Sequence, residues 1–259
     1  MVGAPHVRRG SRARAARGEA RRWYSWHSPR ACVAALSLLV LSAGCGGGSG
    51  SDGGSAERSI DSAAQERAEA IVLQLDDLPD GWRADERVED DESDREFRRC
   101  LGADYSDLTI MGEASSPHFA MGEVTQVSSE VVIFASEEEA NEALAALEEG
   151  FRAEEVDDCF RDLLADAAGE DFEIADVQVG ELSFTRPDVA DASAWQIAIG
   201  VEGAPGSEGA GLSATVYIDM VVLQEGDANA TVATLDVLTP LDSALRDELV
   251  ETVAGRLSE

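Results

Sequence analysis

The sequence predicts an α+β domain in which a mainly antiparallel sheet of about five to six strands is flanked by helices. Short apolar or alternating segments are separated by Gly-rich turns, which is the pattern of strands joined by hairpins. Two helical patterns lie together between two groups of strands, and another helical pattern closes the chain. Residues 59–259 are long enough to form a single domain around one core.

The first part of the domain is predicted to hold a helix and two strands. In order, the expected elements are a helix over 59–75, a turn over 76–82, an irregular connector over 83–96, a short helical turn over 97–101, and strands over 119–126 and 129–135. Pro79 and Gly81 end the helix, and Trp82 after them is expected to dock at the edge of the core. Residues 131–134 are all apolar, so the second strand should be buried on both faces.

The second part is predicted to hold two helices, four strands and a closing helix. In order, the expected elements are a helix beginning after Ser136, a helix over 154–166, strands over 172–184, 194–202, 212–223 and 228–238, and a final helix. Ser136-Glu-Glu-Glu139 has the spacing of a capping box, and Thr239 is the expected N-cap of the final helix. Trp195 begins a strand of alternating pattern and is expected in the core, while Glu225-Gly-Asp227 is predicted to turn a tight hairpin.

Residues 1–44 have the pattern of a secretory signal peptide. Eight Arg and one acid precede an apolar run over 31–41, which is too short to span a membrane. Small residues then lead to Cys45, as in a bacterial lipobox, although Leu41 lies one place further from the cysteine than the strictest pattern requires and Ser42 takes that place. The alternative is an ordinary secretory signal with an unrelated cysteine.

The lipobox interpretation predicts how the domain is held in the cell envelope. A lipid anchor on Cys45 would place the protein on the outer face of the cytoplasmic membrane, with the membrane as its first partner. Residues 45–58 are rich in Gly and Ser and are expected to form a flexible tether. The folded domain is then expected over 59–259.

The charge of the chain excludes some classes of partner. The formal net charge is −32, and residues 45–259 carry 12 basic and 51 acidic residues, because eight bases but only one acid lie in 1–44, so their net charge is −39. Such a field repels nucleic acids and anionic lipid headgroups and favours cations or basic partners. A solvated acidic surface that keeps an exported protein soluble is the simpler explanation.

Two cysteines remain once Cys32 leaves with the signal peptide and Cys45 takes the lipid. Cys100 and Cys159 would lie outside the reducing cytosol, where an even pair is expected to form a disulfide. A zinc site is a poor alternative, because two isolated cysteines lack the paired spacing of zinc ligands.

Residue patterns that support catalysis or metal binding are scarce. His118 is the one histidine after residue 44, and a surface or loop position is expected for it. The sequence has no nucleophile elbow and no phosphate-binding loop. Asp76, Asp77 and Asp80 could ligate Ca²⁺, but their spacing is not that of an EF-hand, and a polar turn is the simpler interpretation. We therefore expect no catalytic residue, metal or cofactor, although two acids in a cleft could still serve a glycoside hydrolase.

Several short segments resemble one family of bacterial envelope proteins. They are the lipobox cysteine with its tether, Asp77-Leu-Pro-Asp-Gly-Trp82, Val131-Val-Ile-Phe-Ala-Ser-Glu-Glu-Glu-Ala140, Val221-Val-Leu-Gln-Glu-Gly-Asp-Ala228 and Gly255-Arg-Leu257. Over residues 68–257 the chain looks like actinobacterial lipoproteins related to the extracellular sensor domain of PknH-type serine/threonine kinases. The resemblance implies an antiparallel sheet flanked by helices around a cleft that binds an unidentified ligand. Members typically carry two disulfides, whereas this chain can form one.

These patterns leave three functions to compare. An anchored, sensor-like module that binds an unknown small ligand should have a concave apolar pocket between the sheet and the helices. A structural or interaction lipoprotein, whose partner is an envelope protein rather than a small molecule, should have a filled core. An enzyme should gather polar residues around His118 or an acidic pair. The first is the favoured hypothesis and the second is the alternative.

Overall fold

The described part of the molecule is one sheet with helices packed on both faces. The computed structural model describes residues 57–85, 91–102, 107–168, 171–207 and 209–259. The predicted signal peptide, Cys45 and most of the predicted tether lie outside these residues. Within them, no helix combines the length and the apolar character needed to cross a membrane.

Helices and strands occur in separate groups along the chain, and the predicted α+β class is confirmed. The helices are α1 Ser62–Ile71, α2 Asp91–Cys100, α3 Glu137–Phe151, α4 Val156–Ala168 and α5 Ser243–Leu257. The strands are β1 Glu57–Arg58, β2 Arg83–Asp85, β3 Thr109–Ser115, β4 His118–Met121, β5 Thr125–Phe134, β6 Phe172–Glu181, β7 Asp191–Gly203, β8 Ser213–Glu225 and β9 Ala228–Val237.

The strands of the described residues form a nine-stranded sheet. Its order is β1-β3-β5-β9-β8-β7-β6, with β4 paired to β5 and β2 paired to β4. The two-residue β1 is parallel to β3, and the other pairs are antiparallel. The sheet has more strands than predicted, because the sequence pattern does not indicate β1, β2 or β3.

The central strands are buried on both faces, and each face has its own helix layer. Val131 and Ile133 of β5 pack in the core formed with α1 and α5. Val132 and Phe134 pack on the opposite face with α3, and Trp195 of β7 packs on that same side of the sheet in the core formed with α2, α3 and α4. The predicted burial of β5 on both faces and of Trp195 in the core is therefore confirmed.

The first two helices differ from the prediction. α1 follows the N-cap Asp61 and ends at Ile71, and residues 75–77 form a separate 3-10 turn. α2 occupies part of the stretch predicted as an irregular connector, so that prediction is wrong. The end of α2 and the residue after it bury Phe97 and Leu101. Tertiary packing of this apolar side stabilises a helix whose charged composition conceals it in the sequence.

β3 is an unpredicted strand that lies directly against α1. At Gly112 the two elements approach so closely that a Cβ atom would lie 2.5 Å from the carbonyl carbon of Ala64. The glycine is required by this contact, and it also interrupts the apolar pattern by which a strand is usually detected.

The hairpin before α3 also differs from the prediction. The expected strand over 119–126 is interrupted, because Gly122 has a φ of 69° and belongs to the turn between β4 and β5. β5 then runs without a break through residues 127–128, which the prediction left between two strands. The tight turn predicted between β8 and β9 is present at Gly226 and Asp227.

The caps of two helices were predicted with mixed success. Ser136 caps α3, since its side chain accepts a hydrogen bond from the amide of Glu139. The carboxylate of Glu139 accepts from the amide of Thr109 (2.7 Å), and so ties α3 to β3 instead of completing a capping box. At α5 the N-cap is Asp242 and not Thr239, because the Asp242 carboxylate accepts from two amides of the first turn.

A buried ion pair links α5 to the sheet. Nη1 of Arg246 lies 3.0 Å from Oδ2 of Asp219 on β8, and the two side chains are 5% and 1% exposed. Oδ1 of Asp219 accepts from Nε2 of Gln196 (2.8 Å), and Arg246 also donates to the carbonyl of Ser183 (3.1 Å) and to Asp247 (3.0 Å). These further hydrogen bonds offset the cost of removing both charges from water.

Asp247 connects the same arginine to the segment before β7. Burial alone would raise the pKa of Asp247, but hydrogen bonds from Thr185 and Arg246 outweigh that effect and hold the pKa below its ordinary value of 3.8. The stability that these bonds contribute is therefore present above pH 3.8 and is lost as the pH falls through the lowered pKa.

Replacing Asp219 with alanine should lower the free energy of unfolding by about 3 kcal/mol, because Arg246 would stay buried with one acid fewer. The matched control is Asp191→Ala, which removes an ion pair whose side chains are half exposed and should cost less than about 1 kcal/mol. Urea unfolding measures both losses. Equal losses in the two variants would contradict the role given to the buried pair.

Candidate functional site

A partly open cavity lies between one face of the sheet and the helices that cover it. Its floor consists of Glu130, Val132 and Phe134 of β5, Met220 and Val222 of β8, and Asn229 and Thr231 of β9. Its walls consist of Phe97, Arg98 and Leu101 in or next to α2 and of Ala143, Leu144 and Leu147 in α3. The cavity volume is about 80 Å³. A concave, mostly apolar space with a few polar groups is typical of small-molecule sites.

The floor of the cavity carries polar side chains at positions where a covered sheet is ordinarily apolar. Glu130 of β5 lies directly opposite Thr231 of β9, and Val132 lies opposite Asn229. Side chains at facing positions have Cβ atoms about 4.5–5.5 Å apart, and diagonal neighbours are also within reach of one another. Three oxygen-bearing side chains are therefore close together on the floor.

The side-chain amide of Asn229 has a hydrogen-bond partner for its nitrogen but, among the described residues, none for its oxygen. Its Nδ2 donates to the carbonyl oxygen of Ala140 on α3 (2.9 Å), and this bond fixes the orientation of the amide, since only the nitrogen can donate. Its Oδ1 is buried and has no hydrogen-bond partner among the described residues. A buried acceptor without a partner costs roughly 1–3 kcal/mol of stability.

The wall formed by α2 is held by a sulfur pair and by aromatic packing. The sulfurs of Cys100 on α2 and Cys159 on α4 lie 2.08 Å apart, and their Cα atoms are 5.4 Å apart, which meets the geometry expected of the predicted disulfide. Phe97 packs against the rings of Phe151 and Phe160 at centroid distances of 6.4 and 5.3 Å. The position of the wall thus depends on α4 and on the end of α3.

Gly150 of α3 allows the same wall to lie close to the helix. A Cβ atom at this position would lie 2.1 Å from the carbonyl oxygen of Leu101, a wall residue. Any other residue type would displace Leu101 or α3, because real atoms do not approach so closely. The size of the cavity is therefore linked to the absence of a side chain at position 150.

The two tryptophans and the cysteine pair lie where the sequence predicts, and His118 does not. Trp82 and Trp195 are 8% and 2% exposed and belong to the two main cores. His118 begins β4 and is 7% exposed, so the expectation of a surface or loop position is wrong. The reason is the unpredicted strand β2, in which Asp85 pairs with His118. His118 does not line the cavity.

The three aspartates considered for Ca²⁺ do not point to a metal site, since one of them has other partners. Asp77 accepts from Nη2 of Arg256 (2.6 Å) and from the backbone amide of Gln74 (2.7 Å), while Asp76 and Asp80 are exposed. Over the described ranges, no group of three or more His, Cys, Asp or Glu residues could hold a metal ion. The contacts agree with the interpretation of this segment as a polar turn.

The sequence patterns do not single out the polar residues of the cavity. Neither Glu130 nor Asn229 stands out in the pattern of its own strand. Only the pairing of β5 with β9 places both side chains on the floor of the cavity. A signal was nevertheless present in β5, where the polar run Ser128-Ser129-Glu130 interrupts a strand whose neighbouring residues Val127 and Val131 are apolar. A polar interruption in a covered strand is a useful indication of a site.

No family model and no curated protein matches this chain. Two solved structures are similar to it. The extracellular domain of PknH from Mycobacterium tuberculosis is 11% identical, with a TM-score of 0.37, over 76% of this chain and 98% of that one. A putative uncharacterized protein from Mycobacterium smegmatis is 10% identical, with a TM-score of 0.32, over 73% of this chain and 82% of that one.

Replacing Cys100 and Cys159 together with serine should loosen the wall formed by α2. A bond that closes a separation of 59 residues contributes about 4 kcal/mol in the chain-entropy model, and α2 would lose its covalent link to α4. Hydrogen exchange should therefore rise more at the amides of α2 than at those of β8. Two free thiols in the non-reduced exported protein, or unchanged exchange in α2, would count against this account.

Proposed function

We propose that this chain is a lipid-anchored, non-enzymatic binding module on the outer face of the cytoplasmic membrane, and that the cavity between α2, α3 and the sheet holds its small ligand. The observation that carries the proposal is the cavity itself, with mostly apolar walls and polar side chains on its floor. A module without a small ligand would be expected to fill this space with side chains, because protein interiors are ordinarily close-packed.

The size of the cavity limits what it could hold. Sites for whole drug-sized ligands usually measure about 300–1,000 Å³, whereas this cavity measures about 80 Å³. A cavity of roughly 150 Å³ is enough for a benzene molecule. The ligand is therefore a small molecule, or one end of a larger molecule whose remainder stays outside.

The composition of the lining supports binding rather than catalysis. Its members include one carboxylate, Glu130, and neither a histidine nor a cysteine. A glycoside hydrolase needs two carboxyl groups across its cleft, and a nucleophile needs a base beside it. The lining side chains offer hydrogen bonds and apolar contact, which are the means of ligand recognition.

The anchor is proposed from the sequence. Cys45 ends the signal-like segment, and the first described strand begins at Glu57. Two acyl chains on a diacylglyceryl group hold a protein stably at a membrane, whereas one chain gives only marginal binding. An acidic domain on such an anchor would be kept off anionic headgroups by its own charge.

Replacing Cys45 with alanine should release the protein from the membrane or leave it unprocessed, because the lipid could no longer be attached. The matched control is Cys32→Ala, which changes a cysteine inside the predicted signal peptide and should leave processing and anchoring intact. Membrane fractionation and the mass of the mature chain measure both. A Cys45→Ala protein that is still processed and fully membrane-bound would refute the lipid anchor.

Filling the cavity should abolish ligand binding while the fold is retained. Ala143 is buried and lines the cavity, so Ala143→Phe should occupy its space, while Ala145→Phe on the exposed side of α3 is the matched control.

We would test amino acids, short carboxylates, amines and sugars, each at 10 mM (about the range needed to detect weak fragments), by ligand-observed NMR. At least one compound should bind the wild-type and Ala145→Phe proteins but not Ala143→Phe. If no compound shows this pattern, the structural or interaction lipoprotein becomes the better hypothesis.

A further inference from the structure

One end of the sheet face under α5 is open to solvent. α5 packs on β8 and β9, and the segment that follows β6 packs on the first residues of β7. Six residues of the same face lie beyond this cover, and we call them the open face: Glu173 and Asp176 of β6, Ala198, Gly200 and Glu202 of β7, and Tyr217 of β8. The three acids are exposed and the other three residues are half-buried.

The strand register places these residues on one side of the sheet. Glu202 lies opposite Glu173, Gly200 opposite Asp176, and Ala198 opposite Tyr217. Ile199 and Val201, which alternate with them along β7, belong to the core on the other side, because successive side chains of a strand point to opposite faces. The Cβ atom of Asp176 lies 3.5 Å from the position that a Cβ atom on Gly200 would take, so these neighbours share a face.

The open face carries negative charge that the described residues do not neutralise. Strands β6 to β9 contain eight acids and no basic residue. Glu173 and Glu202 face each other with Asp176 beside them, and none of the three forms an ion pair with a described arginine. Like charges at facing positions of a sheet are destabilising, so the protein alone is less stable for having this pair.

The remaining arginines of the domain are too far away to neutralise it. After residue 44, the arginines whose side chains are not described are Arg58, Arg87 and Arg95. Arg58 belongs to β1 and Arg87 lies two residues beyond β2, and four strands, or about 24 Å of sheet, separate each of these strands from β7. Arg95 belongs to α2, which packs on the opposite side of the sheet. Residues 45–56 contain no basic residue.

The shape of the open face suits a macromolecule better than a small ligand. Gly200 and Ala198 place at most a methyl group at its centre, so the surface there is flat, whereas small-molecule sites are concave. The ring of Tyr217 borders this flat centre and can contact a cationic side chain. The net charge of −39 over residues 45–259 repels nucleic acids, anionic lipids and a second copy of this chain.

Leu238 adds an apolar contact at the border of the open face. Its amide donates to the carbonyl of Thr215, which pairs with Gly200, and its side chain is 66% exposed. Its φ is 76°, a backbone conformation that a leucine rarely adopts. Backbone strain of this kind is concentrated at functional sites. The open face thus combines acids, a tyrosine ring and an exposed leucine, which together match a basic protein segment with apolar side chains.

We propose that the open face docks an arginine- or lysine-bearing segment of another protein, with one basic side chain between Glu173 and Glu202 and the segment crossing Gly200 toward Tyr217. The partner's positive charge would remove the repulsion between the two glutamates. The inference goes beyond the proposed function, because the cavity lies on the opposite side of the sheet.

The test uses an eight-residue peptide in which arginine alternates with threonine, and a control peptide in which glutamine replaces arginine. Each is titrated into the full-length protein, purified from membranes in detergent. Calorimetry measures the affinity, and the NMR signals of the Ala198 methyl group and the Tyr217 ring report the place of binding. The arginine peptide should bind and shift both signals, and the glutamine peptide should do neither.

Two double variants with the same change of net charge separate the open face from the general field of the protein. Glu173→Gln with Glu202→Gln should weaken the arginine peptide about tenfold, since each exposed pair contributes about threefold. It should also raise the urea midpoint of unfolding, because the facing repulsion is removed. Glu248→Gln with Glu251→Gln, at exposed positions of α5, is the matched control and should change the affinity less than twofold.

Each other outcome overturns the inference. Equal weakening by the two double variants would mean that only the overall charge attracts the peptide. Spermidine binding as tightly as the peptide would mean a site for small cations. A wild-type dimer in ultracentrifugation that Glu173→Gln with Glu202→Gln dissociates would mean that a second copy occupies the face. An arginine peptide that does not bind would exclude a basic segment. Ala143→Phe should leave peptide binding unchanged, so this inference and the proposed function can fail separately.

Discussion

The rest of the structure depends on one constraint. The central strands are apolar on both faces, so helices must cover both faces of the sheet. β5, β8 and β9 contribute residues to the cores on both sides of the sheet. On one side α1 and α5 form the cover, and Arg256 of α5 fixes its end by donating to Asp77 and to the carbonyl of Val72. On the other side α2, α3 and α4 form the cover and leave the cavity open. The candidate site thus lies where α2, α3 and α4 do not fully cover their face of the sheet.

The two helix layers are attached in different ways, and this difference bears on the site. α5 is joined to the sheet by the buried pair of Arg246 and Asp219. α2 has no comparable bond to the sheet among the described contacts, and it is placed by its sulfur pair with α4 and by the ring of Phe97. A wall that is fastened to a neighbouring helix can move without breaking the sheet. The cavity is consequently built on the less firmly attached part of the fold.

The elements that the sequence predicts well are those with strong local signals. The alternation from Trp195 to Val201 predicts β7, and the short turn at Gly226 predicts the hairpin of β8 and β9. α2 and β3 were missed because their stability comes from contacts distant in the chain. Phe97 becomes an apolar anchor only when α4 is beside it, and Gly112 fits a strand only because α1 passes there. The proximity of Cys100 and Cys159 was predicted by elimination, whereas Asn229 and Arg98 line one cavity only through the pairing of β5 with β9 and the docking of α2.

The strand at the end of the sheet has a consequence for how molecules of this protein behave toward each other. β6 pairs with β7 on one side, and its other edge has no strand beside it in the described sheet. Such an edge is a template for joining with a second chain unless charge or irregularity prevents it. Exposed Glu173, Asp176 and Glu181 line β6, and its register shifts between Ile174 and Asp176. The acidic side chains and the irregular register along this edge therefore oppose its pairing with a second chain.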